Sequence, residues 1–162
     1  MAIQKLKEGA KAPSFQIIAD NEKKLSLKDF KGEWLVLYFY PKDMTPGCTT
    51  EACEFQSRLK KFSKMQASVV GVSKDSVARH LKFKEKYSLE FPLLADESGE
   101  LCESYGVWTQ KSLYGKKFMG IERTTVLIDP KGKIAKIYPK VKVKGHVDQV
   151  LADLTELRKK QS

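Results

Sequence analysis

Three cysteines, Cys48, Cys53 and Cys102, are the residues of this chain with the strongest potential for chemistry. A thiolate can act as a nucleophile or bind a metal, and a thiol can also serve simply as a small core residue. An odd and sparse set of cysteines argues against a framework of structural disulfides. The set instead favours redox chemistry, metal binding or core packing.

Cys48 follows Thr45 by three residues, in a segment that predicts the start of a helix. Thr45 is a good N-cap, and Pro46 suits the first helical position. Cys48 then occupies the first turn, where unpaired N–H groups and the helix dipole favour a thiolate, and we expect the Thr45 hydroxyl near its sulfur. A free thiol, with a pKa of about 8.5, is mostly protonated at pH 7. The local pattern fits a buried core cysteine equally well.

A fixed cation beside the sulfur is the other requirement for a reactive thiolate, and Arg123 is the best candidate. It directly precedes the predicted strand at residues 124–129. A guanidinium stays charged and offers several donors in one plane, so it can stabilise both the thiolate and a peroxide oxygen on which negative charge develops. The sequence does not show that Arg123 reaches Cys48.

The spacing of Cys48 and Cys53 bears on how they can react with each other. Five helical steps place the two side chains about 140° apart around the axis and about 7.5 Å apart along it. A disulfide needs Cα atoms no more than about 7 Å apart, so the helix start must unwind before the pair can close. The same geometry disfavours a metal site, and neither His80 nor His146 lies at a ligand spacing from the pair. A C-x-x-C oxidoreductase is disfavoured because four residues intervene.

The remaining sequence predicts an α/β domain that can hold these residues in place. Strand-like and helix-like segments alternate, which predicts a mixed central sheet flanked by helices, with an N-terminal β-hairpin extension. The predicted strands are residues 15–19 and 24–27 (the hairpin), 34–40, 68–73, 124–129 and 134–138, and the predicted helices are 46–64, 77–87, 100–105 and one around 147–157. Residues 91–95 predict a short extended piece, which Pro92 makes either an edge strand or a loop.

Length, charge and hydropathy limit the classes of function. The 162 residues fit one domain, residues 1–162, with 41% hydrophobic and 31% charged residues. No apolar run approaches the ~20 residues of a membrane span, and residues 1–5 lack the apolar stretch of a secretory signal, which together predict a cytoplasmic protein. The formal charge of +10 comes from lysines spread along the chain. We therefore interpret this charge as a solubilising surface rather than as a nucleic-acid-binding site.

The segment around Cys48 resembles the peroxiredoxins, in the branch called bacterioferritin comigratory protein or peroxiredoxin Q. The family signature P-x-x-x-T-x-x-C is present as Pro41, Thr45 and Cys48, and the second cysteine of the branch is present as Cys53. The resemblance covers nearly the whole chain in the expected order. Its other matching stretches are residues 71–76, 91–96, 105–107 and 123–129.

The resemblance implies a thioredoxin-like fold and a role for each of these residues. Cys48 would be the peroxidatic cysteine and Cys53 the resolving cysteine, joined in an intramolecular disulfide that thioredoxin reduces. Thr45 and Arg123 would orient the peroxide and activate the thiolate, and Pro41 would shield the site from water. The implied activity is reduction of hydrogen peroxide and organic hydroperoxides without metal, haem or flavin. A monomer is expected, with a weak dimer as the alternative.

Three residues lie outside that pattern or have two interpretations. Cys102 has no counterpart in the family, and core packing is favoured over a role as an alternative resolving cysteine. Glu51 either hydrogen-bonds Arg123 or is a solvated acid in the first helical turns. Trp108 is expected in the core rather than in the site.

Two other classes of function stay open on the sequence alone. A peroxide sensor or relay that passes its disulfide to a client protein would use the same site residues. A holdase chaperone or nucleic-acid binder would use the basic surface and would not need the cysteines.

Overall fold

A computed structural model describes residues 6–161, so residues 1–5, on which the argument about a secretory signal rests, and Ser162 lie outside the described residues. The strands are β1 (Gln16–Ile18), β2 (Lys24–Ser26), β3 (Trp34–Phe39), β4 (Ala67–Ser73), β5 (Leu93–Ala95), β6 (Trp108–Leu113), β7 (Lys116–Ile121), β8 (Thr124–Ile128) and β9 (Ile134–Tyr138). The helices are α1 (Pro46–Ser57), α2 (Leu59–Lys64), α3 (Val77–Tyr87), α4 (Glu100–Ser104) and α5 (His146–Gln161). Across residues 6–161, none of these helices has the length and apolar character that a membrane span requires.

The central sheet has the strand order β5-β4-β3-β8-β9. Strand β3 pairs with β4 in parallel and with β8 in antiparallel orientation, so the predicted mixed sheet is confirmed. All six residues of β3 are buried, as its unbroken run of β-branched, aromatic and leucine side chains predicts for a central strand. The N-terminal hairpin is confirmed as the separate pair β1–β2, and β5 is an edge strand, as Pro92 at its start predicts.

Alternate residues of β3 face two separate apolar cores. Val36 and Tyr38 belong to a core that includes residues of α1, α2, α3 and α5. Leu35 and Leu37 belong to the other core, which includes residues of the N-terminal segment and of α4. The period-2 alternation of a strand therefore divides the apolar side chains between the two faces of the sheet. Helix α1, and with it Cys48, lies on the first face.

Two elements differ from the sequence prediction. The helix predicted over residues 46–64 is two helices, because the backbone leaves helical geometry at Arg58 (φ −111°, ψ 9°), where the side chain forms an ion pair with Asp148 of α5. The hairpin β6–β7 was not predicted. Its two-residue turn is formed by Tyr114 and Gly115, both with positive φ, as is typical of β-hairpins. The polar and lysine-rich residues on either side of this turn obscured the pattern in the sequence.

The register of the sheet brings two distant segments together at one end of β3. The chain leaves the carboxyl end of β3, crosses a short loop and enters α1. On the neighbouring strand, Thr124 pairs with Phe39, the last residue of β3. Arg123, one residue before Thr124, therefore lies beside the loop that leads to Cys48.

Candidate active site

Cys48 occupies the third position of α1, as the sequence predicts. Thr45 is the N-cap, with extended backbone (φ −82°, ψ 153°), and Pro46 begins the helix. The side chain of Cys48 is buried, with 1% of its surface exposed. The sulfur thus lies in the first turn, where backbone N–H groups lack helical acceptors and where the helix dipole favours an anion.

The Arg123 guanidinium contacts the sulfur of Cys48. Its Nη2 atom lies 3.4 Å from Sγ, so the expected cation is present beside the expected nucleophile. Gly47 makes this approach possible, because a Cβ atom at that position would lie 3.1 Å from Nη2. A cation at this distance stabilises a thiolate more than a thiol, and its remaining donors can face an oxygen that approaches the sulfur.

Arg123 also binds the carboxyl group of Glu51, so its guanidinium contacts both this acid and the Cys48 thiol. The Nη1 atom of Arg123 donates to Oε1 of Glu51 at 2.7 Å, and the carboxyl group is fully buried. The hydrogen bond to Arg123 is therefore confirmed, and the alternative of a solvated acid is wrong. Burial raises the pKa of Glu51 to about 7, although the charge and hydrogen bond of Arg123 act in the opposite direction. The Oε2 atom has no hydrogen-bond partner among residues 6–161.

The loop between β3 and α1 holds Pro41 and Thr45. The Thr45 hydroxyl donates to the backbone oxygen of Lys42 at 2.8 Å and makes no cap hydrogen bond, so its position as N-cap is correct but its side chain stabilises the loop instead. Its oxygen keeps lone pairs that can accept a hydrogen bond. Pro41 is half-buried, and Met44 has a positive φ of 69°, which is unusual for a residue with a side chain.

Cys53 lies in the same helix as Cys48 but is partly exposed, and both are free thiols. Since both residues fall inside the continuous helix α1, the geometry that prevents an immediate disulfide applies here. Burial raises the pKa of the Cys53 thiol. Cys53 is therefore mostly protonated at neutral pH, which suits a thiol that reacts second rather than first.

The other two residues singled out in the sequence have packing roles. Cys102 is fully buried in the second core, and burial, together with the charge of Asp96, raises its pKa. The prediction of core packing is therefore confirmed for Cys102. Trp108 packs against the same core, and the ammonium of Lys74 lies 4.0 Å from the centre of its ring.

Two features of the site were missed by the sequence reasoning. Lys111 of β6 is a second cation that interacts electrostatically with the site: burial and the charge of Arg123 lower its pKa, and the interaction with Cys48 acts in the opposite direction. It was missed because the β6–β7 hairpin was missed. The second feature is a cluster of Asp43, Asp75 and His80, whose polar atoms lie within 4.8 Å of one another. These atoms already hydrogen-bond one another and neighbouring protein groups, so we assign no metal to the cluster.

Glu51 and His146 are expected to give the free energy of unfolding opposite dependences on pH. The native state keeps a proton on Glu51 that the unfolded chain releases above its ordinary pKa of 4.5, so stability falls as pH rises from 4.5 to about 7. Burial and the charge of Arg123 lower the pKa of His146 from 6.5 to about 4, so stability falls as pH falls through that range. Each slope is at most about 1.4 kcal/mol per pH unit.

Urea titrations between about pH 5 and pH 6.5 measure these slopes, because the two groups offset each other in the parent protein. Glu51→Gln should make stability rise with pH relative to the parent, and His146→Gln should make it fall. The double variant should restore the parental slope. A Glu51→Gln variant with an unchanged slope would show that Glu51 ionises normally.

The sequence of this chain is similar to those of proteins of known family. The chain matches the AhpC/TSA family over residues 9–137. It is 49% identical over 152 residues to the peroxiredoxin Bcp of Bacillus subtilis, with 94% of this chain and 97% of that protein covered. It is 53% identical over 146 residues to a putative peroxiredoxin bcp of Coxiella burnetii, with 90% and 97% covered.

Two solved structures show the same fold. The Xanthomonas campestris bacterioferritin comigratory protein, studied for its alkyl peroxide reduction activity, has a TM-score of 0.87 and 40% identity, covering 93% of this chain and 98% of that one. A cysteine-to-serine mutant of Xylella fastidiosa PrxQ has a TM-score of 0.90 and 38% identity, covering 94% and 98%. The predicted thioredoxin-like fold is thereby confirmed.

Proposed function

Because the chain belongs to the AhpC/TSA family, as a peroxiredoxin of the Bcp or peroxiredoxin Q branch, we propose that Cys48 is its peroxidatic cysteine and Cys53 its resolving cysteine. The observation that carries the proposal is the Arg123 guanidinium 3.4 Å from the Cys48 sulfur, in the first turn of a helix. Neighbouring cations and helix dipoles are the usual means by which proteins keep a thiol ionised. The substrates we propose are hydrogen peroxide and alkyl hydroperoxides, the latter because a relative at 40% identity was studied for alkyl peroxide reduction.

The first step is attack of the Cys48 thiolate on one peroxide oxygen. An S–O bond forms as the O–O bond breaks, so the sulfur is oxidised to a sulfenic acid and the peroxide is reduced. The departing oxygen carries the electron pair and takes a proton to leave as water or an alcohol. Arg123 opposes the negative charge on this oxygen and on the sulfur, and so stabilises the transition state.

Thr45 and Pro41 shape the space in which the peroxide binds. The Thr45 hydroxyl donates to Lys42, so its oxygen is left to accept a hydrogen bond from the peroxide. Pro41 has no N–H group and is half-buried at the start of the same loop. We propose that it excludes water from the sulfur, which favours reaction with the bound peroxide.

The second step joins the two cysteines. The Cys53 thiol attacks the sulfenic sulfur of Cys48, a disulfide forms, and the oxygen leaves as water. A protein dithiol, for which we propose thioredoxin, then reduces the disulfide by exchange and is itself oxidised. Helix α1 must open for this step, because the two residues lie too far apart along an intact helix.

The contacts of α1 predict where this opening ends. Phe55 is fully buried and stacks on Tyr38 with ring centres 4.6 Å apart. Gln56 exchanges two hydrogen bonds with Glu90, at 3.0 and 2.7 Å. Before Phe55, the hydrogen bonds that the described structure shows from α1 to another element both come from Arg123, which donates to Cys48 and to Glu51. We therefore expect the disulfide form to unwind over residues 46–54 and to stay helical from Phe55 onward.

Amide hydrogen exchange measures this difference between the reduced and disulfide forms. We expect amides in residues 48–54 to exchange on the order of 100-fold faster in the disulfide form, and those after Phe55 to change little. Cys53→Ser treated with the same peroxide is the control, since it cannot form the disulfide. Unchanged protection over residues 48–54 in the disulfide form would mean that the cysteines meet without unwinding.

The proposed activity is tested by following NADPH oxidation in the presence of thioredoxin, thioredoxin reductase and a hydroperoxide. We expect peroxide-dependent NADPH consumption with hydrogen peroxide and with an alkyl hydroperoxide. Slow turnover together with a stable mixed disulfide to one client protein would instead favour a peroxide sensor or relay. Four expectations from the sequence stay predictions: thioredoxin as the reductant, a monomeric state, a single domain and a cytoplasmic location.

A further inference from the structure

We propose that His80 is a positioning residue for the peroxide reaction, because it fixes the loop between β3 and α1 through Asp43. The inference rests on the proposed function, and it assigns a role to a buried histidine that the catalytic scheme does not use. His80 lies in α3, 32 residues after Cys48 in sequence, and its side chain has no exposed surface.

Asp43 is the point at which this loop is tied to the rest of the protein. Its Oδ2 atom lies 2.6 Å from Nδ1 of His80, and its Oδ1 atom accepts a hydrogen bond from the Tyr40 hydroxyl at 2.6 Å. Its backbone N–H donates to Asp75 at 2.8 Å. Among residues 6–161, every hydrogen bond that joins residues 41–44 to another element involves Asp43.

The contact of the Nε2 atom of His80 fixes which ring nitrogen carries hydrogen. Nε2 is 2.9 Å from the backbone oxygen of Leu94, and because a carbonyl can only accept, Nε2 must carry hydrogen. Nδ1 therefore shares one proton with the Asp43 carboxylate. Burial alone lowers the pKa of His80, but its hydrogen bond to Asp43 and the charges of Asp43 and Asp75 outweigh burial and raise it. One shared proton therefore joins His80 to Asp43 in a short hydrogen bond between two buried side chains.

The other polar groups around His80 support the same arrangement. Asp75 accepts hydrogen bonds from the Asp43 backbone and from the Ser73 hydroxyl, the latter at 2.6 Å. On its outer side it pairs with Arg79 at 3.0 Å. The acidic groups that face His80 are thus Asp43 and Asp75, with the Tyr40 hydroxyl beyond Asp43. The His80 ring bonds Asp43 on one side and the backbone of Leu94 on the other, so it holds Asp43 in one position.

The loop needs such a restraint because part of it is strained. Met44 follows Asp43 directly and has a φ of 69°, a conformation that is unfavourable for a residue with a side chain and persists only where neighbours enforce it. Thr45, the proposed peroxide ligand, comes next. Release of Asp43 would let Met44 relax and would move the Thr45 hydroxyl relative to the sulfur. The groups that stabilise the thiolate, Arg123 and the first turn of α1, do not contact His80.

The proposal predicts that loss of His80 slows one reaction of the Cys48 sulfur, oxidation by peroxide, much more than another, alkylation. In His80→Gln, the rate constant for oxidation of Cys48 by hydrogen peroxide should fall roughly 10-fold to 100-fold, because the peroxide is misplaced. Alkylation of Cys48 by iodoacetamide, followed by peptide mass spectrometry, needs only an accessible thiolate and should stay within about threefold of the parent. Tyr40→Phe keeps the buried ring and removes one hydrogen bond to Asp43, so it should give the same split with a smaller loss.

His146→Gln is the matched control, since it replaces the other buried histidine, which bonds Thr125 and does not touch the loop. Both rates should stay within about twofold of the parent. Equal loss of both rates in His80→Gln and Tyr40→Phe, or no loss in either, would overturn the proposal. If the parent itself failed to react with peroxide at Cys48, the proposed function would fail, and this inference with it. A reactive parent with a fully reactive His80→Gln variant would reject the role of His80 alone.

Discussion

We expect Cys48→Ser to lose peroxide turnover by roughly 10³-fold or more, with the fold intact. A serine hydroxyl is not ionised by a neighbouring arginine at neutral pH, so the nucleophile is removed while its position is kept. The buried side chain is replaced by one of similar size, and Arg123 and Glu51 keep their ion pair. The measurement is the rate of NADPH consumption with thioredoxin, its reductase and hydrogen peroxide.

The other two cysteines provide controls that separate the two thiol steps. Cys53→Ser should still consume one equivalent of peroxide at Cys48 but should lose turnover with thioredoxin, since no disulfide can form. Cys102→Ser should behave as the parent, because Cys102 is buried in the core on the other face of the sheet. Persistent turnover in Cys48→Ser would refute its role as nucleophile. Full turnover in Cys53→Ser would transfer the resolving role to another thiol.

Arg123→Met is expected to lower the second-order rate constant for oxidation of Cys48 by about 10² to 10³. Removal of one donor that opposes developing charge typically has this effect, and here the same donor also stabilises the thiolate. Methionine keeps much of the apolar bulk and removes only the charge and its donors. The rate constant is measured by rapid mixing of reduced protein with hydrogen peroxide under single-turnover conditions.

Two further variants separate the effect of the charge of Arg123 from the effect of its geometry on the rate constant. Arg123→Lys keeps the charge but cannot face Cys48 and Glu51 at once in one plane, so it should recover only part of the rate. Gly47→Ala places a Cβ atom 3.1 Å from Nη2 and should displace the guanidinium by a few tenths of an ångström, with a loss of a few fold. A rate constant for Arg123→Met equal to that of the parent would show that the helix start alone activates the sulfur.

Local patterns were sufficient to predict the elements that carry the site. Thr45 and Pro46 mark the helix start because caps and first-turn prolines act within a few residues, and Cys48 follows at a fixed position. The buried strand β3 was evident from its composition. Arg123 was predicted beside the sulfur from its place before a strand and from the family resemblance, and the pairing of Thr124 with Phe39 explains why that prediction holds.

Features that depend on tertiary packing could not be predicted in the same way. The burial of Glu51 depends on which face of α1 meets the sheet, and two turns of sequence do not specify this. The contact of His80 with Asp43 joins residues 37 positions apart in sequence, in a loop and a helix that local propensity describes separately. Lys111 interacts electrostatically with Arg123 and Cys48 from the β6–β7 ribbon, whose lysine-rich, weakly alternating strands resemble a surface loop in sequence.

Single-turnover peptide mapping identifies the cysteines that hydrogen peroxide oxidises. Fully reduced protein is mixed with slightly less than one equivalent of hydrogen peroxide, free thiols are then alkylated, and the peptides are identified by mass spectrometry. We expect one disulfide, between Cys48 and Cys53, formed in proportion to the peroxide added, with Cys102 alkylated throughout. Peroxide consumption that leaves Cys48 alkylated, or that places the oxidation on Cys102, would show that Cys48 is not the peroxidatic cysteine.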